Sequence, residues 1–177
     1  MGSGAPGGMT WLVFALMTVA SWGVYGIFLH SGQNSMADPV NGRYKAFLFV
    51  GLAYFVTAIL GPLVILLQSG TDWSFPFKGM AWSFVAGVVG AIGAFCVLLA
   101  FGAGGAPSVV MSIVFAGAPV INAVVALAIH PPAGGWGSVR WQFFAGILLA
   151  ALGGFMVTLY KPGPAAPAAP VRVELRQ

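Results

Sequence analysis

Acidic side chains are almost missing: Asp38, Asp72 and Glu174 are the only three in 177 residues, against seven Lys and Arg. Charged residues make up 6% of the chain, where a soluble domain carries about 25%. Histidine occurs twice and cysteine once. Each scarcity excludes something. One cysteine, Cys96, supports no internal disulfide. Two histidines and three acids give no His/Cys/carboxylate cluster with metal-ligand spacing and no glycine-flanked serine paired with a histidine, so neither a metal centre nor an enzyme is expected, and no cofactor. The seven basic residues are scattered and not interleaved with aromatics, which argues against a nucleic-acid partner despite the net charge of +4.

What is abundant is apolar. The chain is 59% hydrophobic with a mean hydropathy of +0.96. All ten charged residues lie between or at the edges of long apolar runs, and none interrupts one. Crossing about 30 Å of hydrocarbon takes roughly 20 residues. Windows of that length predict five spans, at residues 10–30, 45–68, 79–102, 107–130 and 140–160. The expected fold is therefore all-α: an integral membrane protein of five transmembrane helices joined by short loops, with the lipid bilayer as first partner. Trp11, Trp73, Trp82, Trp136 and Trp141 fall at predicted span ends, where amphipathic rings prefer the interface, and only Trp22 is mid-span.

Orientation follows from the basic residues. With the N-terminus outside, Arg43, Lys45, Lys161, Arg172 and Arg176 face the cytoplasm against Lys78 and Arg140 outside. That predicts a multi-pass plasma (inner) membrane protein with a cytoplasmic C-terminus. Although "SMA" before Asp38 resembles a cleavage site, a signal peptide is not expected: the first nine residues hold no Lys or Arg and the first run is too long for an h-region.

Residues 1–9 and the Pro/Ala-rich tail 161–177 read as flexible segments flanking a 10–160 transmembrane domain. "GAGGAP" (102–107) predicts a tight hairpin between the third and fourth spans. Small residues recur every four positions at Ser83/Gly87/Ala91, Ala86/Gly90/Ala94 and Gly146/Ala150/Gly154. Lipid offers no hydrophobic drive between helices, so close approach through such stripes is expected to pack the third to fifth spans.

Polar groups on the apolar helices are few enough to name. Trp22, Gly26 and His30 share a face of the first span with Tyr25 beside them; Tyr54, Thr57 and Gly61 follow helical spacing on the second; Ser112, Pro119 and Asn122 form a stripe on the fourth. Trp22, Tyr25, Tyr54, Thr57, Ser112, Pro119 and Asn122 are the candidate substrate-binding residues, on the expectation that the partial stripes face one cavity. Pro119 removes the donor for the Phe115 carbonyl, and such a gap in a membrane helix is tolerated beside protein or a watery cavity. A plainer account competes: Thr57 and Ser112 bond carbonyls of their own helices, the tyrosines bond nearby backbone, and Asn122 joins two helices.

"PSVVMSIVFAGAPVINAVVAL" followed by "WQFFAGILLAALGGFMVTLYKP" resembles the end of a repeat in the EamA-like branch of the drug/metabolite transporter superfamily, where a mid-membrane Pro-Val pair precedes a glycine-rich closing helix. Pro119 and Val120 match that pair. "SWGVYGIFL" is similar to the family's tryptophan-glycine opening, and Arg43 falls at the family's arginine before the second helix. Two features depart from the pattern. His130 in "AIHPP" stands where members commonly have a glutamate, and members have ten helices in two inverted repeats where this chain has five. The resemblance implies a half-size transporter or permease subunit that works as a dimer or with another membrane subunit. With no carboxylate at membrane depth for proton exchange, it further implies a small neutral or zwitterionic substrate moved by facilitated diffusion or exchange. The alternative is a non-transporting structural subunit of a larger membrane complex, keeping the fold without a pore. The five-to-two charge bias predicts that any homodimer is parallel.

Overall fold

The structure, a computed structural model, describes residues 9–161. The predicted flexible ends lie outside the described residues apart from Met9 and Lys161, as do Arg172, Glu174 and Arg176. Among the described residues five helices are long and apolar enough to cross a membrane: α1 (Thr10–Ser35), α2 (Gly42–Ser69), α3 (Phe77–Gly102), α4 (Pro107–Ile129) and α5 (Trp141–Leu159). A single 3-10 turn, Trp136–Ser138, precedes α5. No strand occurs among the described residues.

The helices end where the local chemistry requires. Gly70 terminates α2 in the left-handed conformation, φ 62°, that a side chain resists. After α3 the chain turns through Gly104 at φ 91°, its amide donating to the Phe101 carbonyl at 3.0 Å, and Pro107 opens α4. The predicted hairpin at 102–107 is this turn.

α2 contains a feature the hydropathy pattern did not disclose. It is α-helical over Gly42–Tyr54 and Gly61–Ser69 but π-helical over Phe55–Leu60. Pro62 supplies the reason. It has no N–H for the Ala58 carbonyl and its ring crowds that oxygen. Widening the preceding turn relieves the crowding, and the Gly61 amide donates to Val56, five residues back. In contrast α4 runs as one helix through Pro119.

The chain forms two compact units, dividing inside α4 between Val114 and Phe115. In the first, α1, α2 and α3 pack mutually. Its core is Leu29, Val97, Leu98, Phe101 and Met111, flanked by Tyr25, Phe47, Val50 and Phe95. It sits where the end of α1, the start of α2, the end of α3 and the start of α4 converge. Leu98 is fully buried and Ala94, from one of the small-residue stripes, is 2% exposed. Elsewhere the helices turn large apolar side chains outward, Leu48 and Phe84 each at 74% exposure. The second unit holds the remainder of α4 and α5, with Ala123 as its buried residue.

Candidate functional site

Two adjoining open clefts in the first unit collect the polar and aromatic residues of α1 and α2. One, of about 440 Å3, is lined by Ser21, Trp22, Tyr25, Val50, Ala53, Tyr54 and Thr57. The second, of about 740 Å3, shares Trp22, Val50 and Tyr54 and is bounded across from them by Ala86, Gly87, Gly90 and Ala91 of α3. Four of the seven candidate residues, Trp22, Tyr25, Tyr54 and Thr57, thus line one cleft. Helical spacing brings this about on each side: Ser21, Trp22 and Tyr25 lie within one turn of α1, and Val50, Ala53, Tyr54 and Thr57 follow one face of α2.

The chemistry of the lining is aromatic with four hydroxyl groups, those of Ser21, Tyr25, Tyr54 and Thr57. The Trp22 and Tyr25 rings are 5.5 Å apart, tilted by 47°. Thr57 donates to the Ala53 carbonyl of its own helix at 2.9 Å, so its hydroxyl proton is used and its oxygen keeps acceptor capacity. Tyr25 differs. Its hydroxyl oxygen is buried and has no hydrogen-bond partner, which costs about 1–3 kcal/mol unless something enters to pair with it. Thr57 also sits on the π-turn, and Tyr54 directly precedes it, so the register shift forced by Pro62 sets how these two side chains are presented.

The remaining three candidates are not among the residues that line this cleft. Ser112 donates to the Ser108 carbonyl at 2.6 Å, the helix-internal bond of the plainer account. Pro119 and Asn122 belong to the second unit, where they line a cleft of about 480 Å3 with Ala126 and His130 of α4 and Phe143 and Ile147 of α5. Asn122 is exposed and makes no side-chain hydrogen bond among the described residues. Sequence reasoning passed over Ser21, whose position one residue before Trp22 was a usable signal, and Pro62, which marks the π-turn.

Among the described residues no group of three His, Cys, Asp or Glu is placed to hold a metal ion. Cys96 is exposed on α3. No family model, no curated protein and no solved structure matches this chain.

Proposed function

We propose that the chain is a multi-pass membrane protein and a half-size transporter or permease subunit of EamA-like type, taking a small neutral or zwitterionic metabolite in the cleft of Trp22, Tyr25, Tyr54 and Thr57. Five apolar helices with outward-facing Leu48, Phe84 and their like support residence in lipid, since a soluble surface does not tolerate so large an apolar exterior. The observation that carries the transport reading is the Tyr25 hydroxyl, unpartnered beside an aromatic cleft and a π-turn. The lining bears no charge, which favours a ligand without net charge of its own.

Pairing is part of the proposal. Gly87 and Gly90 face open space on α3, with no atom within 4 Å of a side chain added there, leaving room for a helix of a second copy against the larger cleft. The charge bias favours a parallel arrangement, and a complete inverted site then needs a second, oppositely oriented polypeptide.

The test is a panel of neutral and zwitterionic metabolites screened by thermal shift on the purified chain, followed by counterflow of any hit in proteoliposomes. Tyr25→Phe is expected to fold as well as the wild type, because the lost hydroxyl has no partner, and to lose the response to the hit. A panel without a hit, or counterflow unchanged in Tyr25→Phe, removes the transport reading. A stable complex with another membrane subunit and no counterflow then favours the structural-subunit alternative.

A further inference from the structure

Between the last turn of α1 and the first turn of α2 lies a pocket of about 310 Å3 unlike the apolar clefts: it is lined by Gln33, Asn34, Ala37, Asp38, Pro39 and Arg43. Its charge is simple to follow. Asp38 is fully committed. One carboxylate oxygen accepts the Val40 and Asn41 amides at 3.1 and 2.8 Å, and the other accepts the Lys45 ammonium at 2.7 Å. The Asp38 and Lys45 charges cancel, and Arg43 is left over.

Arg43 is held in position without being neutralised. Its guanidinium packs so closely on Gly102 that a side chain there would overlap it, and it lies 5.8 Å from the Tyr44 ring centroid. Among the described residues it makes no ion pair and no hydrogen bond. Capping the end of α3 does not explain it, because no hydrogen bond joins the guanidinium to an α3 carbonyl among the described residues. Gln33 raises the same question from α1: its side-chain oxygen is buried without a partner, and a half-turn of the amide presents its NH2 instead. Asn34 uses one amide hydrogen toward His30 Nε2 at 3.1 Å and retains a second.

A planar, unpaired guanidinium fork recognises an oxyanion through two oxygens. A carboxylate would be exhausted by that fork, whereas the two amides call for further oxygens. We propose that this pocket binds a phosphate group, Arg43 pairing with two of its oxygens and the Gln33 and Asn34 amides donating to others. Its place at the ends of apolar helices suits a phospholipid headgroup, and its open mouth equally admits a free phosphate. The site does not depend on the transport reading.

The experiment uses the purified full chain in neutral detergent at constant ionic strength. Inorganic phosphate and, separately, short-chain phosphatidylglycerol are titrated while melting is followed. A saturable rise in melting temperature is expected with at least one probe. Tighter response to phosphatidylglycerol identifies a headgroup site, and response to inorganic phosphate alone a soluble ligand. R43Q is expected to weaken the response about tenfold or more, from loss of a charge-assisted pair. K78Q, which removes one positive charge elsewhere, is expected to leave it unchanged. Q33M is expected to weaken it without lowering the melting temperature of the unliganded protein, because the removed oxygen had no partner. No saturable response to either probe, or equal losses in R43Q and K78Q, overturns the proposal. Should R43Q fail to fold, wild-type affinity in Q33M overturns it.

Discussion

Met111 of α4 lies across Gly26 of α1 so closely that a Cβ on Gly26 would sit 2.5 Å from the Met111 Cγ and 2.8 Å from its Sδ. Both residues are buried, and Met111 is one of the five core residues. The absence of a side chain at Gly26 lets the first and fourth helices bring their backbones together, the form of packing that lipid-embedded helices rely on.

Gly26→Ala is therefore expected to destabilise the protein by about 1–3 kcal/mol, the usual cost of overpacking. Gly23→Ala, one turn earlier on the same helix, meets nothing within 4 Å and is expected to be neutral or to gain up to about 1 kcal/mol from helix propensity. Melting of the two variants in one detergent separates packing from propensity. Equal effects would show that Met111 moves aside freely.

Pro62 lies just after the π-turn, and Pro62→Ala examines whether proline causes it. The restored N–H can reach the Ala58 carbonyl, so α2 is expected to regain α-helical register through Phe55–Leu60 and about 1 kcal/mol from the added hydrogen bond. Hydrogen exchange across residues 55–61 should slow. The change of register also alters how Tyr54 and Thr57 meet the cleft, so any ligand of that cleft should bind more weakly. Faster exchange, or a lower melting temperature, would place the cause of the π-turn in the packing around it and not in proline.

Pro62 and Pro119 show where the sequence was legible and where it was not. Length and apolarity placed all five helices, because a run of about 20 apolar residues has few other uses. The boundaries moved most at the end of α1, predicted near residue 30 and observed at Ser35, because His30, Gln33 and Asn34 lower hydropathy without ending the helix. Proline marks a lost hydrogen bond but not the response to it. At Pro62 the helix widens, and at Pro119 it continues. Helical spacing likewise put Trp22 beside Tyr25, and Tyr54 near Thr57, since both relations are internal to one helix. Which helix faces which is a long-range property, and spacing along α4 gave no means of seeing that Pro119 and Asn122 line a cleft with Phe143 and Ile147 of α5.

Asp38 gives a pH dependence with a fixed sign. The Lys45 ammonium and the Asn41 and Val40 amides hold its carboxyl down at about 2, below the ordinary 3.8. A carboxyl whose folded pKa is depressed stabilises the fold above its unfolded value, and that contribution is lost as pH falls through the folded value. Wild type should thus exceed Asp38→Asn in melting temperature at pH 7. The difference should shrink from about pH 4 downward and vanish only below pH 2. A difference constant with pH would mean that the turn geometry, not the charge, matters.

Orientation is open to a direct check. Arg43 and Lys45 begin α2, Lys78 begins α3 and Arg140 precedes α5, so the basic bias predicts that Lys78 and Arg140 lie outside. A green fluorescent protein fused after Gln177 should fluoresce, and a phosphatase fused there should be inactive. The reverse result inverts the topology, and activity in both reporters indicates dual insertion and excludes an obligatorily parallel dimer.

Asn122 offers the sharpest separation between a residue that serves its own chain and one that serves something outside it. Its amide is exposed on α4, without a hydrogen bond among the described residues, in a cleft with Pro119 and His130. In hydrocarbon an unpaired amide costs several kcal/mol, so it needs a partner from beyond its own helix. Asn122→Leu is accordingly expected to melt no lower than wild type in detergent, where the amide has nothing to lose. In liposomes, energy transfer between labelled copies should fall. Interhelical amide bonds contribute about 1 kcal/mol, which corresponds to about a fivefold weaker association. A lower melting temperature with association unchanged would show instead that Asn122 is bonded within the protomer and takes no part in contacts between copies.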